Sequence, residues 1–118
     1  FVSDYITITS ALSVNGVALK YLSDELRADN AIVAVACAQS PLALKYAGEA
    51  IRADKAFVLK LLATHVGADY VLKYAAEHLQ NDRDVVLIAV RRCGLALQYA
   101  ARKLRADSEV VLAAVANK

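Results

Sequence analysis

Apolar residues occur in short runs along this chain, and an aspartate stands just before each run. The aspartates are Asp4, Asp29, Asp54, Asp82 and Asp107, and the spacings between them are 25, 25, 28 and 25 residues. An aspartate at such a place accepts hydrogen bonds from the unpaired N–H groups of a helix's first turn. We therefore predict that each aspartate is the N-cap of a helix.

A second phrase precedes each of the last four aspartates and differs in character from the apolar runs. In its first copy, Leu19, Leu22 and Leu26 fall on one face of a helix whose other positions are polar. The apolar run that follows, residues 30–39, has almost no polar face and must be packed between neighbours. Each repeat of 25 residues therefore predicts one amphipathic and one apolar helix.

Glycine or proline marks the junctions between repeats, at Gly16, Pro41, Gly67 and Gly94. Glycine lets the chain leave a helix, and proline suits the first position of the next one. The pattern predicts about nine short helices: 4–14, 17–27, 30–39, 41–52, 55–65, 69–80, 83–92, 95–105 and 108–117. The first of these helices is predicted from the 25-residue spacing between Asp4 and Asp29, although apolar and polar residues alternate over 6–9 as they do in a strand.

A stack of such helical hairpins is an α-solenoid, in which each unit buries its apolar face against the next. We predict an all-α fold of this kind, a single domain of four and a half repeats. The half repeat is 1–15, and the repeats are 16–39, 40–65, 66–92 and 93–118. Nearly complete burial is expected for seven residues from the two helix types: Val35, Leu61, Leu87, Leu112, Leu44, Leu72 and Leu97.

One tyrosine recurs in the amphipathic phrase, as Tyr21, Tyr46, Tyr74 and Tyr99. A row of tyrosines could hold ligands. Because the tyrosines recur at the same position of each repeat, the preferred interpretation is that the rings pack between adjacent hairpins, with the hydroxyl groups at the edge.

The composition is unusually apolar for a chain of 118 residues. Hydrophobic residues make up 58%, against a usual share of about 45–50%, yet no apolar run approaches the ~18 residues that would span a bilayer. Phe1 lies within the repeat phrase, so we expect a processed product or a fragment of a longer array. Cys37 and Cys93 stand at non-equivalent repeat positions, which favours reduced cysteines and an intracellular protein.

Positive charge is concentrated locally in the second half of the chain, at Arg91, Arg92, Arg102, Lys103 and Arg105. This group could contact a phosphate, an anionic lipid or an acidic partner. The two parts of the group end successive antiparallel helices and would lie up to ~15 Å apart. Ordinary solvated surface is therefore the preferred interpretation. Nucleic acid is not expected as a partner, because exposed aromatic residues do not alternate with the charge.

Candidate chemistry is confined to one histidine. His65 lies beside the three-residue insertion that lengthens the third spacing. It is a candidate metal or tetrapyrrole ligand, and the alternative is an ordinary histidine at a helix end. No Cys/His spacing indicates zinc, and the sequence holds no phosphate-binding loop, nucleophile elbow or paired catalytic carboxylates. We therefore predict neither an enzyme nor a bound cofactor or metal.

The recurring phrases LKYA, LRAD and VVLAAV resemble the repeats of the DUF4116 family of domains of unknown function. The resemblance covers nearly the whole chain, with a departure at Gln80-Asn81, where other copies have Arg-Ala. It implies arrays of the kind found in protist and algal proteins and some bacterial effectors, with no catalytic residues to carry over.

Two functions follow from this sequence. The first is a structural or interaction protein, an accessory subunit whose terminal apolar helices pack against other subunits of a larger complex. That complex could be organellar, in a plastid or mitochondrion, with peripheral association to a photosynthetic membrane complex and no transmembrane span. The second is a free protein- or peptide-binding module of an effector-like protein.

Overall fold

The computed structural model describes residues 2–64 and 67–116, with side chains from residue 5 onward. Within these ranges all regular structure is helical, which confirms the predicted all-α fold. The α-helices are α1 (Val2–Val14), α2 (Asp24–Arg27), α3 (Asn30–Gln39), α4 (Glu49–Arg52), α5 (Lys55–Ala63), α6 (Ala68–Tyr74), α7 (Glu77–Gln80), α8 (Arg83–Arg92), α9 (Arg102–Arg105) and α10 (Ser108–Ala116). Three 3₁₀-helices are η1 (Gly16–Tyr21), η2 (Pro41–Tyr46) and η3 (Gly94–Tyr99).

Each repeat contains three helices, so the prediction of nine helices in hairpins was wrong. Thirteen lie in the described ranges, because each predicted amphipathic helix is divided into a first helix and a single-turn helix. We call the successive sets units: unit 1 is η1, α2 and α3; unit 2 is η2, α4 and α5; unit 3 is α6, α7 and α8; unit 4 is η3, α9 and α10. The last helix of each unit is its long helix.

Hydrogen bonds between units explain the division. At the break in unit 2, Ala47 and Gly48 are both extended, with ψ of 155° and 151°. The Gly48 N–H donates to the carbonyl of Arg27 in unit 1 at 2.8 Å. The same bond joins the later units, from Ala76 to Arg52 and from Ala101 to Gln80, both at 2.9 Å. An unbroken helix would direct this N–H inward and leave the preceding unit's carbonyl unpaired.

The extensive packing contacts lie within a unit or between consecutive units. The chain measures 50 × 23 × 19 Å, with a radius of gyration of 14.7 Å, compared with about 13.5 Å for a compact domain of this length. Contacts between neighbours and an elongated outline are the pattern expected of stacked repeats. The α-solenoid itself stays a prediction.

The core follows the stack, and four of the seven burial predictions are confirmed, for Leu44, Leu61, Leu72 and Leu87. The prediction was wrong for Leu112, which is 69% exposed, and for Leu97, which is half-buried. Both lie in unit 4, beyond which the described residues hold no further unit. Val35 is also only half-buried, because this position of the long helix faces outward. The equivalent residue in unit 2 is the exposed Lys60.

Candidate interaction surfaces

The four aspartates of the complete units begin the four long helices. Asp29 accepts from the N–H groups of the second and third helical residues, at 2.9 and 3.2 Å. Asp82 does so at 3.0 and 3.3 Å, and Asp107 at 2.9 and 3.2 Å. Asp54 accepts from the third residue, Phe57, at 3.3 Å. The four caps thus hold the same place in their units.

Ion pairs connect units 2 and 3 beside these caps. The first residue of α5, Lys55, places its Nζ 2.8 Å from the Asp82 carboxylate and 3.7 Å from that of Asp84. The hydrogen bond from Lys55 lowers the pKa of Asp82, and the same bond raises the pKa of Lys55.

The same arrangement recurs between units 3 and 4. Arg83 Nε lies 3.2 Å from Asp107, and its Nη2 lies 3.3 Å from Glu109. The hydrogen bond from Arg83 lowers the pKa of Asp107 and raises that of Arg83. The long helices of units 2 and 3 thus each begin with a cation that reaches the cap of the next unit.

The recurring tyrosines lie beside lysines. Lys20 Nζ is 4.9 Å from the ring centroid of Tyr21 and 6.0 Å from that of Tyr46 in the next unit. Lys73 is 5.6 Å from the ring of Tyr99 in the same way. Cations at this distance are attracted to the faces of aromatic rings. Two of the tyrosines, Tyr46 and Tyr99, thus take part in contacts between units.

The five basic residues lie at the two ends of α8. Arg92 is the last residue of α8, and its guanidinium donates to the carbonyl of Ala63 at 3.1 Å. The other part of the group, in α9, follows Ala101, which is bonded to Gln80 just before α8 begins. A helix of ten residues separates its two ends by about 14 Å. Arg91 and Arg92 thus do not form one patch with Arg102, Lys103 and Arg105.

The candidate ligand His65 lies outside the described residues. His78 is exposed on α7, beside a shallow cavity that Asn81 and Ala101 also line. Within the described ranges, no group of three or more His, Cys, Asp or Glu side chains could hold a metal ion. Burial raises the pKa of the Cys37 thiol to about 12, which keeps it protonated and unreactive. No helix in the described part of the chain is long and apolar enough to cross a bilayer.

A groove of about 490 Å³ lies between the long helices of units 1 and 2. We call it the α3–α5 groove. Its walls include the small residues Ala34 and Ala38, and its floor includes Phe57 and Leu61. Sequence analysis missed this groove. The signal that could have found it is Ala34, which stands five residues after its cap, where the other units have leucine.

Two large apolar side chains of α10 are exposed. Val115 is 58% exposed, whereas Val90, at the same place in unit 3, is fully buried. Leu112 is 69% exposed, whereas the equivalent Leu87 is 8% exposed. We call Leu112 and Val115 the C-terminal end face. Beside it, the carbonyl of Arg105 accepts no backbone hydrogen bond from the described residues, whereas its equivalents in the three other units each accept one from the next unit.

The opposite end of the stack also exposes apolar side chains. Tyr21 is 78% exposed, whereas its equivalents in the later units are half-buried. In α1, Ile6 is 57% exposed and Tyr5 is 40% exposed. We call these three residues the N-terminal end face.

Comparison with known families assigns the repeats. The model of the domain of unknown function DUF4116 matches residues 7–52, 54–105 and 82–118, which together take in nearly the whole chain. The chain belongs to the DUF4116 family. This confirms the resemblance seen in the repeated phrases. No curated protein and no solved structure matches this chain.

The matches also relate the DUF4116 domain to the structural units. The first two are each about twice as long as the 25-residue spacing of the aspartates. The first match runs from α1 through unit 1 to α4, and the second runs from α5 through unit 3 to α9, so each takes in one whole unit with the adjoining helices on both sides.

Proposed function

We propose that this DUF4116 chain is a non-enzymatic interaction protein, a scaffold or accessory subunit that packs against other protein subunits through its end faces. One observation carries the proposal: Val115 is 58% exposed, while Val90, the same residue type at the same place in the repeat, is fully buried. Complete burial of a valine stabilises a structure by about 1.5–3 kcal/mol. Contact with a partner would recover this stabilisation for the exposed valine.

The chemistry of the partner follows from what covers the equivalent residues inside the stack. There, the next unit contributes apolar helices and a backbone N–H that pairs with the carbonyl at the end of the single-turn helix. The C-terminal end face with the Arg105 carbonyl fits the same occupant. The expected partner is a further helical unit of this kind on another subunit.

The test is the oligomeric state of the 118-residue chain, measured by light scattering across concentration, together with binding of an apolar fluorescent dye. We expect the average mass to rise with concentration, and the dye to bind. Val115→Glu should lower both signals, because it places a charge on the end face.

Leu42→Glu is the matched control, since Leu42 is also exposed but lies in η2, away from both ends. It should leave association unchanged. A chain that stays monomeric and binds no dye would overturn the proposal and favour the free binding module. Equal effects of the two substitutions would also overturn it.

A further inference from the structure

The three junctions between the long helices of consecutive units are not equivalent. The helix pairs α5–α8 and α8–α10 each carry a cross-unit ion pair at their first residues. The α3–α5 pair carries none among the described residues, and the groove of about 490 Å³ opens there. This junction is therefore open where the other two are closed.

One end of the α3–α5 groove lacks a cation. Asn30 stands where Lys55 and Arg83 stand in the next units, so no cation reaches the cap Asp54. Both Asn30 and Asp54 line the groove. The Asp54 carboxylate is an exposed anion with no ion-pair partner among the described residues.

The middle of the groove lacks a leucine side chain. Ala34 occupies the place of Leu59, Leu87 and Leu112 in the other long helices. Phe57 and Leu61 line the groove beside this gap, although each is less than a tenth exposed. An apolar side chain of leucine size would fill the gap.

The middle of the groove carries a positive charge, beside the gap at Ala34. Lys60 lines the groove and is exposed, with no ion-pair partner among the described residues. It follows Asp54 by six residues, which corresponds to about 9 Å along a helix. The groove therefore has an anion at its cap end and a cation beside the apolar gap in its middle, while Ala38 and Thr64 line its other end.

We propose that the α3–α5 groove binds an amphipathic helix of a partner protein. That helix places a lysine or arginine at Asp54, a leucine-sized side chain over Ala34 and an acidic side chain at Lys60. A helix suits this site because the small side chains of α3 allow a third helix to approach two neighbouring ones closely. The site is separate from the end faces, so it does not depend on the end-face proposal.

The test is selection from a displayed library of helical peptides with randomised exposed positions, using the whole chain as the target. We expect the selected peptides to share a basic and an acidic residue about two helical turns apart, with a large apolar residue close to the acidic one. A selected peptide is then labelled, and its dissociation constant is measured by fluorescence anisotropy.

Four substitutions in the chain test the individual contacts. Asp54→Asn and Lys60→Gln should each weaken binding about threefold, as expected of exposed ion pairs. Asn30→Lys supplies the missing cation from within the chain, so that it pairs with Asp54 in place of the peptide's basic residue. It should weaken binding about threefold or more. Ala34→Leu occupies the gap over α3 with a side chain of the chain's own and should weaken binding about tenfold or more.

Two controls separate these effects from general changes in charge and size. Gln98→Lys makes the same charge change as Asn30→Lys on an exposed residue outside the groove, and Ala50→Leu makes the same size change on α4. Both should leave the dissociation constant within about twofold. The proposal is overturned if no peptide is selected, if the selected peptides lack the two charges, or if Ala34→Leu and Asn30→Lys bind as the natural chain does. Circular dichroism establishes that each variant is folded.

Discussion

The junction between α8 and α10 and the junction between α3 and α5 are built on the same repeat, yet one is closed and the other is open. In the closed junction, Arg83 reaches the cap Asp107, and Leu87 is buried. In the open junction, the equivalent residues are Asn30 and Ala34, and a groove remains. Two side chains at fixed places in the repeat thus decide whether neighbouring long helices leave a surface available between them.

The end faces show that burial also depends on whether a whole neighbouring unit is present. Leu87 and Leu112 are both leucines five residues after a cap, but the first has a following unit and the second has none in the described residues. Burial in a stack is supplied by the neighbour rather than by the residue itself.

The largest expected effect is on the closed junction. Leu87→Ala should lower the free energy of unfolding by about 2–5 kcal/mol, because it removes a buried side chain and leaves a cavity like the one at Ala34. Urea unfolding followed by circular dichroism measures this change. Leu112→Ala is the matched control and should cost less than about 0.5 kcal/mol in the monomeric chain. Equal costs for the two leucines would contradict the difference between inner and end positions.

A smaller effect is expected at the caps. Asp82→Ala should cost about 0.5–2 kcal/mol, because Asp82 accepts two N–H groups at the start of α8. Asp54→Ala should lie at the lower end of that range, since Asp54 accepts one N–H and has no cation. Asp82→Asn retains a capping oxygen without the charge. The decrease in the free energy of unfolding of this variant therefore measures the contribution of the ion pair separately. A cost for Asp54→Ala above that for Asp82→Ala would show that the open junction depends on its cap in another way.

The smallest effect is a pH dependence of the closed junctions. The pKa values of Asp82 and Asp107 are lowered in the folded chain, so their ion pairs stabilise it above the ordinary aspartate pKa of about 3.9. This stabilisation is lost as the pH falls through the lowered pKa values. The double variant Lys55→Met/Arg83→Met should be less stable than the natural chain at pH 7, and the two should converge below about pH 4.

Urea midpoints at several pH values measure this convergence. Lys103→Met is the control, because Lys103 is exposed and has no ion-pair partner among the described residues. Its difference from the natural chain should not follow the titration of the two aspartates. A double variant whose deficit persists unchanged into acid would rule out the aspartates as the source.

The sequence by itself determined the features that depend on neighbouring residues along the chain. Capping and hydrophobic periodicity depend on residues that are close along the chain. The regular spacing of the aspartates therefore predicted the long helices 30–39 and 83–92, and α3 and α8 have these bounds. The all-α class and the family followed from the same repeated phrases.

Only the tertiary structure decided the rest, because the groups involved are paired across units. Gly48 leaves its helix since its N–H meets the carbonyl of Arg27, twenty-one residues earlier, and no local pattern in the amphipathic phrase indicates that bond. Leu112 has the same local sequence character as the buried Leu87, so its exposure depends on whether a neighbouring unit covers it. The α3–α5 groove likewise exists only where Ala34 and Asp54, from two different helices, are brought side by side.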